Sequence, residues 1–254
     1  MKALQRVDKP RLPVTDAEIF GRPADLQNRS VERQSNGGLA QSEMPRWVGA
    51  MPDVPVEVVP FEKHEEGKGM SAHYRPGNDE RPGEYRIPLH EPQEQSRGNA
   101  ESVAFHEAWP GHHLQVAVAQ SVEGLHPVTQ IIWFSGPGEG WARYSEGLAE
   151  EMGLYATATG PIKRRAWPAR GMVVDPGIHL IGWSREEAIE FMLESGRFPA
   201  SKADEMVDRI AILPGQLTAY DSGGLEILAL RKSTEDYSGG ASRQSLYFTE
   251  ALSS

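Results

Sequence analysis

The sequence predicts an α+β fold: short N-terminal β-strands forming an edge sheet, followed by a mostly helical domain. Two observations carry that expectation. Eleven of the 19 prolines and nine of the 26 glycines lie in residues 1 to 100, a density at which long helices cannot persist. Beyond residue 100 the apolar residues recur at spacings of three, four and seven, as on amphipathic helices. Strands first and helices after is the order of an α+β chain, not of an alternating βαβ sheet.

Residues 1–44 alternate polar clusters such as QNRSVERQSNGG with scattered apolar positions. No periodicity there can anchor a core, so a Pro/Gly-rich peripheral arm is expected, with residues 45–254 forming one domain. The runs VPVEVVPF, from Val54, and GEYRIPL, from Gly83, are β-branched or aromatic stretches bounded by Pro and Gly. They read as strands, with SAHYR between them as a weaker third. Prolines at both ends of the first run suit an edge strand, and residues 54–60 and 84–89 are the expected places for an extended peptide to pair. From Glu139 to Tyr155, the residues Trp141, Tyr144, Leu148, Met152 and Tyr155 mark the buried stripe of a helix. Ser184 followed by Glu187 is a capping box opening a helix that carries Ala188, Phe191 and Met192. Another helix is expected from Ser201 to Leu213, stopping before Pro214-Gly215. A last one is expected after Gly223-Gly224, with Leu225, Ile227, Leu228 and Leu230.

Composition removes several function classes. Lys and Arg number 26 against 36 Asp and Glu, a net charge of −10, the wrong sign for a nucleic-acid partner. There is no cysteine, which excludes a disulfide framework, a thiolate nucleophile and a Cys-type metal site. Any metal must therefore rest on His and carboxylate ligands. The opening MKALQRVDKPRLPV has no apolar core of signal-peptide length, and nowhere do about 18 uncharged apolar residues run together. The expectation is a soluble cytoplasmic protein with no membrane partner.

Three of the eight histidines fall within His106-Glu107-Ala108-Trp109-Pro110-Gly111-His112-His113. Neutral imidazole is the commonest zinc ligand, and a carboxylate directly after the first ligand can take a proton from an activated water. That makes Glu107 the candidate base. In a continuous helix, His112 lies about 120° from His106 and His113 only about 20°, so periodicity favours His113. Pro110-Gly111 should break that periodicity and can swing His112 back, so the second ligand stays open between the two. A hydrogen-bonded histidine cluster without metal is the alternative. A catalytic zinc takes three protein ligands, and Glu139, directly after a Gly-Pro-Gly turn, is the candidate third. Glu139, Glu146 and Glu150 otherwise read as a solvated acidic face, the better account for Glu150.

The segments HEAWPGHHLQ (106–115), EGWARYSEGLAEEMG (139–153), DPGIHLIGWSREEAI (175–189) and LPGQLTAYDSGG (213–224) together resemble the bacterial domain-of-unknown-function family 885, of the gluzincin metallopeptidase clan. With the strand region upstream, the likeness covers roughly residues 45–232. Glu-Gly-Trp-Ala is further similar to the Glu-Gly-Phe-Ala ligand segment of zinc aminopeptidases. The resemblance implies a zincin-like domain with zinc as cofactor, His106, His112 and Glu139 as ligands, and Glu107 as general base. It also implies an oxyanion donor at His179 or Tyr220, against which stand a helix-start histidine near Asp175 and a half-buried core tyrosine. Arg143 and Glu146 would orient the ligand carboxylate, and Arg170 is a candidate for gripping a substrate carboxylate. Family members are longer, with a helical N-terminal half, so a short member lacking that half is expected. In the C-terminal SLYFTEALSS, Thr249 stands where the family's terminal segment has a histidine.

The function expected is zinc-dependent hydrolysis of a peptide or small amide. The alternatives are a metal-binding protein without peptidase activity, an amide- or ester-processing enzyme, and a homo-oligomer or subunit whose partner completes the cleft.

Overall fold

The structure is a computed structural model and describes residues 40–48, 51–66, 70–78, 80–89, 96–124, 126, 128, 133–166, 169–194 and 200–237. Most of the expected arm and the segment SLYFTEALSS lie outside the described residues. Within them the fold is α+β, mostly helical with one small sheet.

The sheet holds β1 (Val56–Pro60), β2 (His73–Arg75) and β3 (Gly83–Ile87) in the order β1-β3-β2. β1 runs parallel to β3 and β2 antiparallel to it. β1 is an edge, as its flanking prolines predict. The run 84–89, also expected at an edge, instead contributes the central strand. Gly83, Tyr85 and Ile87 are all buried, and Tyr85 and Ile87 pack on Ala104 and Ala108 of the helical layer. The second edge is β2, the weakest of the three sequence signals.

Helix α1 (Arg97–Glu107) opens at Ser96, whose hydroxyl accepts from the Asn99 amide at 3.1 Å. It ends at Glu107, and α2 (His112–Ser121) starts five residues later, after the Trp109-Pro110 turn. Helix α3 (Ser135–Glu151) begins four residues before the expected Glu139. Pro137 sits in its first turn, where a missing amide hydrogen breaks no helical bond. Trp141, Tyr144 and Leu148 of α3 pack with Phe105, Trp109 and Leu114, and Ala40, Met44 and Val48 close the same cluster. The core thus takes in Ala40 and Met44, inside the stretch expected to be peripheral. Their spacing of four, continued by Val48, is a helical stripe too short to stand out in sequence. Tyr155 lies past the end of α3 but still packs edge-on against Phe105.

The remaining helices are α4 (Gly160–Ala166), α5 (Gly171–Pro176), α6 (Arg185–Leu193), α7 (Ala200–Ile212) and α8 (Gln216–Tyr237), with one π-helical turn at Gly177–Ile181 after α5. The capping box of α6 is formed: Glu187 N–H donates to Ser184 Oγ at 3.2 Å, and Ser184 N–H to Glu187 Oε2 at 2.8 Å. Val174, Ala188, Met192, Ala203, Val207, Ile210, Leu217 and Tyr220 form a second cluster. Helix α8 starts at Gln216 and runs straight through Gly223-Gly224, where the sequence places a break. The glycines serve close approach instead. A Cβ on Gly223 would stand 2.1 Å from Gly136 O and 2.9 Å from Gly140 Cα, so α8 crosses α3 backbone to backbone. The buried Asp175 carboxylate accepts from the Gly215 and Leu217 amides at 2.9 and 3.2 Å and caps the start of α8. Leu225, Leu228 and Leu230 are exposed, and of the four apolar residues expected in this helix Ile227 packs on the first cluster.

Candidate metal centre

Three elements each deliver one donor to a common point. His106 is in the last turn of α1, His112 is the first residue of α2, and Glu139 lies in α3. One donor atom from each lies within 4.8 Å of the others, and all three residues are buried. The interruption between α1 and α2 is what selects His112. Gly111 packs so closely on the end of α1 that a Cβ there would stand 1.8 Å from His106 O. Helix α3 holds this turn as well as supplying Glu139. The Trp141 indole N–H donates to Pro110 O at 3.0 Å, and the Ser145 hydroxyl donates to the same oxygen at 3.1 Å.

Glu139 Oε2 is 3.3 Å from His106 Nε2 and 3.5 Å from His112 Nε2, yet neither approach is aligned for a hydrogen bond, and the oxygen is buried without a partner. An unsatisfied buried carboxylate oxygen is costly. A divalent cation shared with the two imidazoles would satisfy it, and a two-His, one-carboxylate donor set suits zinc. Electrostatics point the same way. Burial opposes charge on His106, but the Glu139 and Glu146 carboxylates beside it push it up to about 10. Burial raises Glu139, but the two imidazoles hold it well below the usual carboxylate range. The cluster demands positive charge, as a proton or as a metal.

Each donor residue is oriented from behind. His106 Nδ1–H donates to Glu146 Oε1 at 3.0 Å, turning Nε2 inward. Glu146 is fixed by Arg143 at 2.7 Å, and Arg143 also donates to Asp221 on α8 at 2.6 Å. Arg143 and Glu146 thus orient the His106 imidazole and not, as expected, the Glu139 carboxylate. That task falls to Gln216, whose amide donates to Glu139 Oε1 at 3.3 Å. Arg209 donates to Gln216 Oε1 at 3.1 Å and to the Tyr220 hydroxyl at 3.3 Å. His112 Nδ1–H donates to Gln115 Oε1 at 3.4 Å. Gln216, Arg209 and Gln115 are absent from the sequence reading. One signal was available: Gln216 and Tyr220 lie four apart in LPGQLTAYDSGG and so share a helical face.

The other expected site residues divide. Glu107 follows His106, and its Oε2 accepts from the Tyr74 amide of edge strand β2 at 2.8 Å. Its charge is felt at both His106 and Tyr220. Tyr220 stacks on His106, with centroids 5.7 Å apart at 24°. Burial first, and then the Glu139 charge, raise its hydroxyl well above the ordinary tyrosine value. His113 has both nitrogens committed, Nε2–H to Val54 O and Nδ1 to the Tyr74 hydroxyl, each at 3.0 Å. Burial lowers its pKa and pushes the Tyr74 hydroxyl up to about 12, so the pair stays neutral, and His113 is not gathered into the cluster. His179 is not gathered into the cluster. It sits in the π-helical turn and donates from Nε2 to Ile210 O at 2.9 Å, in the last turn of α7, a carbonyl that also accepts from the Leu213 amide at 3.3 Å. Arg170 is also committed elsewhere: it donates to Phe191 O, pairs with Glu194 at 3.3 Å and lies 4.1 Å over the Phe191 ring. Glu150 pairs with Arg164 at 2.7 Å and with Arg165, so it is not a plain solvated acid.

Fold and site together define an α+β protein with a buried two-histidine, one-glutamate cluster at the meeting of three helices. The chain belongs to the bacterial proteins of unknown function grouped as DUF885, which it matches over residues 3–254, a longer span than the four motifs suggest. Among solved structures it is similar to a protein of Colwellia psychrerythraea provisionally described as a lipoprotein, with a TM-score of 0.85 and 27% identity. That match covers 96% of this chain and 42% of the other. A protein of Shewanella oneidensis, provisionally described as a lipoprotein of unknown function, shares the fold at a TM-score of 0.72 and 19% identity, over 97% of this chain and 48% of the other. The chain therefore spans less than half the length of either solved relative. No curated protein matches the sequence.

Proposed function

We propose that the protein is a zinc-dependent hydrolase of peptide or related amide bonds, built on a zincin-like domain of the gluzincin type. The observation that carries this reading is the unpartnered, buried Glu139 Oε2 facing the Nε2 atoms of His106 and His112, with Glu107 next to the first of them. His106, His112 and Glu139 would hold the metal. When bound, zinc supplies Lewis acidity and draws the pKa of a water down to about 7. Glu107, held by the Tyr74 amide, takes the proton of the attacking water and passes it to the leaving nitrogen. Tyr220, kept protonated by burial, donates to the oxyanion that develops on the carbonyl. His179 has no part in this scheme, because its Nε2 serves Ile210.

Elemental analysis of protein purified without added metal tests the centre. About one zinc per chain is expected in the wild type, lost in His106→Ala and His112→Ala and kept in His113→Ala. Glu107→Gln, which can still accept from Tyr74, should retain zinc and lose about 10²- to 10⁴-fold in turnover on a peptide library. A wild type that takes up no zinc even when it is supplied would overturn the reading.

A second reading, favoured by the burial of all three donor residues, is a metal-binding subunit without peptidase activity. Full zinc occupancy without cleavage would support such a metal-binding subunit. The Colwellia neighbour is provisionally described as a lipoprotein, which speaks against the cytoplasmic expectation.

A further inference from the structure

Directly before α3, and five or six residues ahead of the Glu139 donor, stand two exposed aromatic residues, Trp133 at 53% and Phe134 at 67%. Large aromatic rings at that exposure are unusual unless something covers them in use. Trp133 is not loosely placed. Its ring meets the His112 imidazole edge-on, with centroids 5.4 Å apart. It also lies so close over Gly138 that a Cβ there would stand 2.2 Å from the indole. On the same corner, Gln115 of α2 donates to Pro137 O at 3.1 Å. The indole is thus fixed on two sides by the site's own framework, while about half of its surface stays open to solvent. The Arg143, Glu146 and Gln216 network that orients the donors makes no use of it.

We infer that Trp133 and Phe134 form an apolar subsite beside the metal centre that receives an aliphatic or aromatic side chain of the substrate, next to the reacting carbonyl. This rests on the hydrolase reading for the word substrate, but the subsite itself is a binding surface and is tested as one. The Trp133 ring itself touches the His112 imidazole, so a group seated on its open surface is separated from that imidazole by the indole alone. An apolar side chain there removes exposed aromatic surface from water, and a charged one would lose hydration with no counter-charge from either ring. The platform therefore discriminates by side chain rather than by backbone.

The experiment compares leucine hydroxamate with glycine hydroxamate, which share one metal-chelating group and differ in side chain, by calorimetry on zinc-loaded protein of measured zinc content. In the wild type the leucine compound should bind about tenfold tighter. Trp133→Ala and Phe134→Ala together should reduce that preference to under about threefold, with zinc content and glycine hydroxamate affinity unchanged. Phe134→Ala alone, at a residue outside the His112 ring contact, should give a partial loss, and Trp133→Phe should restore most of the preference. Equal affinities in the wild type, or a preference that survives both substitutions, would overturn the subsite. Failure of the two readings is distinguishable. A wild type without zinc overturns the metal centre and the subsite with it. Bound zinc with no side-chain preference overturns the subsite alone. Zinc and preference without peptide cleavage leave the subsite standing and remove the hydrolase.

Discussion

His112 and His113 are adjacent, both buried and chemically identical, yet the fold gives them opposite uses. His113 is spent on Val54 and Tyr74 and ties the chain before β1 to β2, while His112 turns its Nε2 to Glu139. Helical phase favours His113 because it assumes one continuous helix, and the chain stops one at Glu107 and starts another at His112. That His106 and Glu139 would come together was legible because a His-Glu pair and a glutamate directly after Gly-Pro-Gly leave a local trace. Of their supports, Gln216 and Arg209 were not, because they reach the site only through tertiary contacts, and Gln115, one turn after His112 on α2, is picked out only once the helix is seen to start at His112. Gln216 offers the sharpest test at this scale. It is the hydrogen-bond donor to Glu139 Oε1, so Gln216→Ala frees the carboxylate to rotate and should weaken zinc binding about 10- to 100-fold. Competition against a chelator of known affinity reads this. An unchanged affinity would mean that Glu139 is oriented by its helix alone.

Helices α3 and α8 set the frame that these residues occupy. The sequence shows the stripe of α3 but not its start, because Gly-Pro-Gly reads as a turn until Pro137 is seen to fill a first-turn position. It places a break at Gly223-Gly224 for the same reason, since glycine marks both a helix end and a close helix crossing and local sequence does not tell them apart. The crossing fixes Glu139 and Gln216 relative to each other, one on each helix. Gly223→Ala forces a methyl group to within 2.1 Å of Gly136 O, which is backbone and cannot rotate away. The cost should be about 1–3 kcal/mol by urea denaturation, together with weaker zinc binding, although no donor is touched. If stability falls and zinc affinity does not, the crossing holds the fold but not the site.

Across the whole molecule, the strands-then-helices order was legible because proline density and apolar spacing are global features. The strand order was not, since pairing partners lie far apart in sequence and the central β3 looks no different from an edge. The core divides into a cluster around α1, α2 and α3, a smaller one where β3 packs on α1, and one around α5 to α8, and the candidate metal centre lies where the first and last meet. His106, His112 and Glu139 come from the first side, and Gln216 and Tyr220 from the second. A cation bound there would neutralise a buried carboxylate that otherwise has one oxygen unpaired. Because the three residues come together only in the folded chain, zinc held there would bind the native state in preference to the unfolded one, and binding would become stability. At a free zinc concentration about one hundred times Kd, the gain is about 2.7 kcal/mol. For a chain of this size each kcal/mol moves Tm by about 2–4 °C, so scanning calorimetry should show Tm rising by about 5–10 °C with zinc. The rise should disappear in His112→Ala, whereas Glu107→Gln, which leaves the donors in place, should keep it in full. A Tm that zinc leaves unmoved in the wild type would mean that the donors do not close on a cation. The His106–Glu139 contact would then be an ordinary buried ion pair with a proton in the metal's place.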